Sequence, residues 1–542
     1  QGPSQDDWGL ISLWQKLDKG QSGEPVSAAD ELLVKGWRVE CMLALGKETA
    51  SVRDHLVTIR AELLKAQPAY GRYLWCRALR AAPNPAWSEI VRELTGLVPA
   101  LEGQDAILKA QDRAGAVVGL IVEAAQKRRE QARPWNRLDQ VPFNPFADPA
   151  EAEEYAVLLK AARKLPGAGE NPELKASLVL AACHEAKPES ALAWSLARDL
   201  LPLRDASMQP DLLPLLFAGV SGFWQQPGLA KLPADDPQWA AAIRATTQLL
   251  GEFSKDEAGK ISRKQKAAAL YKAVLQPVIE ASELQAVASK PGTGELVSEL
   301  SGAAAKFLDN QKDVEWPFPE SVPSVYHAIE SQATRAMDLD PKGKEDTARL
   351  VDYYVLRGNA RAYKSDFNAA EVLADADAAL KVQPKLHTAL GVRAYALFMR
   401  AQEQSKRDRI LKDLADAIVS GKAAMTNCPK GHKQFPGYML NLANAHLWLG
   451  NFETDQKAKQ QHFDLARTLA GDAAQLEHDY GDEARLLLGN IYEDLASQVG
   501  EDPKVNYLEA KKRFSQVLEQ NPLSAQAFCS LARCHYKALV QS

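Results

Sequence analysis

The sequence has no apolar run long enough to cross a bilayer. The longest, Ala114–Ile121 and Leu212–Val220, fall well short of the roughly 18 residues that a spanning helix needs. Cysteine is scarce, six in 542 residues, and no two stand as a CxxC pair, so neither a disulfide framework nor a zinc knuckle is expected. Cys41, Cys76, Cys183, Cys428, Cys529 and Cys534 read instead as free, mostly buried thiols in a reducing, cytoplasmic compartment. No excess of positive charge exists: 65 Lys and Arg stand against 70 Asp and Glu, a net charge of −5. Bulk electrostatics therefore gives no reason to expect nucleic acid or an anionic membrane as partner. A secretory leader is not visible. The period-two alternation of strands and the short turn signals of hairpins are missing too, which leaves helix as the expected regular structure.

Hydrophobic residues make up 46% and charged residues 25%, values that allow an ordinary buried core. Gln1-Gly2-Pro3-Ser4 (residues 1–4) reads as the remnant of a cleaved tag. Residues 7–132 read as about six helices, with Gln67-Pro68 and Asn84-Pro85 as turns before helix starts. The last of them, around Ile107, Leu108, Val117, Val118, Leu120 and Ile121, is apolar on most sides and is expected to be central. Residues 133–149 carry Pro134, Pro142, Pro145 and Pro149 around Trp135, Phe143 and Phe146. Proline at that density forbids a helix, and the aromatics predict an extended segment packed on a neighbouring surface. Residues 150–312 return to irregularly spaced helices, predicted near 150–165, 172–186, 188–201, 237–254, 263–289 and 295–313. Leu212–Trp224, with Pro214, Gly219 and Gly222, reads as a short buried piece. A Pro-rich connector around Trp316 and Phe318, followed by a helix, occupies residues 313–344.

From residue 345 to 542 the pattern repeats. The clearest unit runs from Ala484 to Pro522. Leu488, Gly489 and Tyr492 lie on a first helix, Ala510, Phe514, Val517 and Leu518 on a second, and Asn521-Pro522 closes it. A small residue on the first helix lets the second approach, and the later Ala and Phe fill the gap. Small residues recur at Gly358, Ala394, Ala443, Gly489 and Ala532, in steps of 36, 49, 46 and 43 residues. This arrangement resembles the tetratricopeptide repeat, whose basic period is about 34 residues. The resemblance implies an all-α fold: an α-solenoid of helix-turn-helix repeats whose C-terminal third has longer-than-usual units. The excess is expected in longer helices or wider turns. The sequence stops just after the first helix of a repeat, so an excised region of a longer protein is expected.

Constellations that could carry chemistry are sparse. Cys428-Pro-Lys-Gly-His432 supplies two good metal ligands with no partner pair nearby in sequence, so no metal or other cofactor is expected. Cys529, Cys534 and His535 fall at core-type helical positions, and Cys183-His184 are adjacent on a helix and point apart. Gly219-Val-Ser221-Gly222 lacks the final Gly of a nucleophile elbow, since Phe223 stands there, and no strand precedes it. Gly167-Ala-Gly169 and Gly292-Thr-Gly294 read as loops. No catalytic residues are expected.

One feature points to binding. The residues just after the small positions are Asn359, Tyr395, Asn444, Asn490 and Arg533, and four residues on lie Tyr363, Trp448, Asp494 and Lys537. In tetratricopeptide repeats the former position faces the concave groove. The resemblance implies that Asn359, Tyr363, Tyr395, Asn444, Trp448, Asn490 and Arg533 line a groove for another protein or a peptide segment, with Trp448 as its open aromatic anchor. The function expected is thus a non-catalytic scaffold or sensor region. Alternatives are the regulatory arm of a larger signalling enzyme, such as a protein kinase or caspase-like protease, and a helical enzyme with an unrecognised site.

Overall fold

The structure, a computed structural model, describes residues 28–44, 49–103, 108, 113–131, 146, 149–165, 168–185, 187–200, 212–255, 264–339, 347–476, 480–498 and 501–541. Among the described residues every regular element is helical, as the periodicity predicts. They fall into two compact units. The first ends at Leu296 and recruits Asp313–Pro317; the second comprises Val297–Lys312 and the chain from Phe318.

In the first unit the helices are α1 (Ala28–Ala44), α2 (Thr49–Ala66), α3 (Pro68–Arg80), α4 (Trp87–Thr95), α5 (Val98–Glu102), α6 (Arg113–Gln131), α7 (Pro149–Arg163), α8 (Pro172–His184), α9 (Ser190–Leu200), α10 (Leu212–Gln225) and α11 (Pro237–Lys255). Pro68 opens α3, where its missing N–H costs nothing. Asn171 caps α8 by accepting the N–H groups of Glu173 and Leu174. The central helix is α8, not α6 as expected. Every residue of α8 from Leu174 to Ala182 is buried, and it packs against α6, α7, α9 and α10. The outward face of α6 is Gly115, Ala116 and Gly119, which are exposed; small side chains there forgo little by staying in water.

The piece at Leu212–Trp224, expected to be short and buried, is buried from Pro214 to Trp224 and forms the full helix α10. Pro214 lies in its first turn, where no backbone donor is needed. A Cβ added at Gly222 would lie 2.6 Å from the Ser190 carbonyl oxygen, so the glycine holds α9 and α10 together. Beside them Phe223 meets Trp194, Trp224 and Trp239 edge-on at 5.1–5.2 Å. Most of the Pro-rich segment 133–149 lies outside the described residues; Phe146 is buried, 5.5 Å from the ring of Tyr155.

The single helix expected over 263–289 is divided. It comprises α12 (Lys264–Leu270), a π-helical stretch Tyr271–Leu275, α13 (Gln276–Glu280) and α14 (Glu283–Ala288), with Ala281 extended at ψ 96°. Pro277 stands at the second position of α13. The wide turn just before it accommodates the missing donor and ring without ending the helix.

The second unit begins within α15 (Gly294–Asn310) and continues through α16 (Val325–Leu339), α17 (Thr347–Tyr363), α18 (Ala369–Val382), α19 (His387–Glu403), α20 (Arg407–Asn427), α21 (Phe435–Phe452), α22 (Gln456–Gln475), α23 (Gly481–Leu495), α24 (Pro503–Gln520) and α25 (Ala525–Gln541). From α16 onward each helix packs on the next. The first helices of successive pairs, α17, α19, α21, α23 and α25, also touch one another. This is a solenoid of helical pairs with one close-spaced layer. The extra repeat length sits in the helices, as expected: α20 has 21 residues and α22 has 20.

Packing follows the small-residue logic. Phe514 is fully buried against Ala510 and Val517, and Gly489 lies directly over its ring. The closing Asn521 caps α24. The last helix departs from expectation. Cys534 is buried, but Cys529 and His535 are exposed, because α25 is covered only on the face that meets α24 and α23. None of the six cysteines forms a disulfide.

Candidate functional site

Four successive first helices present their close-spaced faces to one cavity of about 310 Å³ in the second unit. Asn359 and Tyr363 reach it from α17, Gly391 and Tyr395 from α19, Asn441 and Asn444 from α21, and Glu483 and Leu487 from α23. Helical spacing explains the sets: residues three or four apart share a face. Asn441 and Asn444 are one turn apart, as are Asn359 and Tyr363.

A tyrosine stack forms one wall. Tyr363 lies between Tyr326 and Tyr395, with ring centroids at 5.8 and 5.5 Å and interplanar angles of 28° and 23°. Tyr363 keeps 52% of its surface exposed, with its ring held between the other two. Burial raises its phenol above the ordinary value, helped by Tyr480, Tyr395 and Glu483. Burial, then Glu483, does the same for Tyr395. Both hydroxyls therefore stay protonated and can donate hydrogen bonds. Glu483 is the one formally charged side chain among the lining residues.

The amides are the informative part. Asn359, Asn441 and Asn444 are half-buried. Among the described residues, none of the three has a side-chain hydrogen-bond partner. An amide offers two donors and an acceptor with two lone pairs, and such groups are ordinarily paired when water is partly excluded. Three of them at one cavity form a set of unspent hydrogen-bonding groups.

Of the seven residues expected to line a groove, the structure brings Asn359, Tyr363, Tyr395 and Asn444 together. The other three are elsewhere. Asn490 and Arg533 belong to a charge cluster: Arg533 donates to buried Glu493 through Nε at 2.9 Å and Nη2 at 3.0 Å, and to Asn490 Oδ1 at 3.3 Å. Lys537 joins at 2.7 Å from Glu493. These pairs hold the Glu493 carboxyl below the usual range, against the opposing effect of its burial. Trp448 is not an open anchor. It is half-buried on the core of its neighbours, edge-on to Phe398 at 5.9 Å and 6.2 Å from Phe452. The reason is direction: its side chain leans toward the adjacent α19 rather than into the cavity.

The sequence reading misses Asn441, Tyr438, Gln434 and Tyr480. Tyr438, Gln434 and Tyr480 precede the small position by more than a turn and Asn441 by two residues, and the signal for Asn441 was the 3.6-residue period itself, which places it on the face of Asn444. It also misses His387, whose ring stands 4.7 Å from that of His432; 45 residues separate the two in the chain.

Burial raises the Cys183 thiol to about 11 and raises the Cys428 thiol as well. Neither is poised as a thiolate nucleophile. No helix among the described residues is long and apolar enough to cross a membrane.

No protein-family model matches the chain. No curated protein matches it. Among solved structures, a monomeric mutant of IFIT1 with Gppp-AAAA shares 12% identity at a TM-score of 0.28, covering 95% of this chain and 92% of that one. Naa15/Naa10 bound to HypK-THB shares 13% at 0.22, covering 98% and 93%. A circular tandem repeat protein shares 11% at 0.16, covering 99% of both. Similarities at these scores carry no function across, and the cavity itself bears the reading that follows.

Proposed function

We propose that the second unit is a scaffold that holds an extended segment of another protein along its close-spaced helix layer. The observation that carries this is the set of three half-buried amides, Asn359, Asn441 and Asn444, without partners beside a tyrosine stack. Amides pair with a peptide backbone whatever its sequence. Tyrosines bury side chains at little entropic cost while keeping a hydroxyl to donate. A cavity of about 310 Å³ takes one or two side chains of such a segment. The remainder would run along α17, α19, α21 and α23. Six cysteines outside any disulfide fit a reducing compartment.

The test is capture of partners by the wild type and by an Asn359→Ala, Asn444→Ala double variant, followed by titration of the isolated partner segment. The double variant is expected to lose the segment while its fold persists. Unchanged affinity in the folded double variant rejects the reading.

A further inference from the structure

Three ligand-type side chains meet at the corner between α19, α20 and α21. Cys428 caps the end of α20, and His432 follows in a turn where Gly431 takes a φ of +76° that a side chain would resist. The His432 N–H donates to the Pro429 carbonyl at 3.1 Å, folding the turn so that His432 comes back over Cys428. His387 opens α19. One donor atom from each lies within 4.8 Å of the other two.

We propose that His387, Cys428 and His432 form a binding site for a divalent transition-metal ion of the zinc class. The donor set decides the class. Two imidazoles and a thiolate are borderline-soft ligands that suit zinc and disfavour magnesium or calcium, which take oxygen. Bond lengths of about 2.0–2.3 Å in a tetrahedron put donor atoms about 3.3–3.8 Å apart. The donor atoms, within 4.8 Å of one another, would have to draw together by at most about 1.5 Å. All three residues are partly exposed, so an ion can enter.

Outer partners support the assignment. The Tyr438 hydroxyl donates to Gln434 Oε1 at 2.8 Å and offers only a lone pair to His387 Nδ1 at 3.0 Å. In the tautomer with Nδ1 protonated, His387 donates to the Tyr438 hydroxyl and its Nε2 presents the free pair a metal needs. This is the outer hydrogen bond typical of metal-bound histidine. His432 Nδ1 accepts the Gln434 N–H at only 3.3 Å, a long bond that a ring flip would surrender at little cost. With three protein donors, the fourth position is left to water or an incoming ligand. The site shares Tyr438 and Gln434 with the cavity lining, but its chemistry stands apart from the peptide-binding reading.

Cobalt(II) titration of the reduced, metal-stripped full chain tests this, with zinc as competitor. One equivalent of cobalt should produce a near-ultraviolet thiolate-to-cobalt charge-transfer band, and zinc should abolish it. Cys428→Ser should remove the band. His387→Gln and His432→Gln should each weaken zinc binding by at least about tenfold. Cys529→Ser, on an exposed thiol of α25, should bind as the wild type does. Circular dichroism melts confirm the fold of each variant, and His432→Gln, in an exposed turn, remains informative should Cys428→Ser unfold. The proposal is overturned by a wild type with no charge-transfer band, by a band that survives in Cys428→Ser, or by either histidine variant binding zinc undiminished.

Discussion

His446 and His462 share one hydrogen bond between their Nδ1 atoms at 2.9 Å, with the rings stacked 5.1 Å apart. One Nδ1–H donates and the other nitrogen accepts, so the pair works only while at least one ring is neutral. His446 is 2% exposed, and its Nε2 has no partner. Burial, with His462 and Lys422 adding repulsion, lowers its pKa to about 4; burial lowers His462 too.

This pair makes the second unit acid-sensitive. The unfolded histidine titrates near 6.5, above its folded value, so between those values the unfolded state binds more protons. Stability from His446 is complete above about pH 6.5 and is lost as pH falls toward 4. Between pH 7 and 5 the loss should be about 2 kcal/mol. Chemical unfolding at the two pH values, for the wild type and His446→Leu, measures it; the variant should lose less on acidification.

Gly489 and Phe514 should be energetically coupled. A Cβ at Gly489 would come within 2.4 Å of the Phe514 Cε1. Gly489→Ala should cost about 1–3 kcal/mol through overpacking. Phe514→Ala, at a fully buried position, should cost about 3–5 kcal/mol. In the double variant the methyl falls into the vacated space, so the two losses should sum to more than the double loss. Additive values in a denaturant cycle would show that the helices do not meet through this pair.

Trp448→Ala should destabilise the second unit by about 2–3 kcal/mol, since it removes the contacts with Phe398 and Phe452 from a half-buried ring. The partner segment should still bind once the remaining fold is intact. Loss of binding without loss of melting temperature would return Trp448 to the groove.

The Asn359→Ala, Asn444→Ala variant should melt within about 1 kcal/mol of the wild type, because neither amide makes a hydrogen bond inside the protein. Its affinity for the partner segment should fall by about 10-fold or more, one lost hydrogen bond per amide at about 1 kcal/mol. A large fall in stability would mean that the amides serve the fold.

Much of the fold was legible because helices announce themselves locally. Gly489, Phe514 and Asn521-Pro522 mark one pair, and the small residues at Gly358, Ala394 and Ala443, all buried, mark the others. The break at Ala281 was not legible, because no Gly or Pro stands at it. The site divides in the same way. Asn359, Tyr363, Tyr395 and Asn444 follow from phase along a helix. Trp448 failed because phase gives a face but not the lean of a long side chain toward its neighbour. His387 could not be paired with Cys428 and His432 from spacing, since only stacking of α19 on α20 and α21 brings them together.

The cavity is lined by four helices that are neighbours in series, and this has a consequence for how the stack comes apart. A repeat array ordinarily behaves as a one-dimensional chain in which each unit feels only the next, so it can fray from an end. A segment bound from α17 to α23 would add a link that skips over intermediate units. Occupied, those repeats should unfold in one step rather than several, and the width of the melting transition, not only its midpoint, should report occupancy.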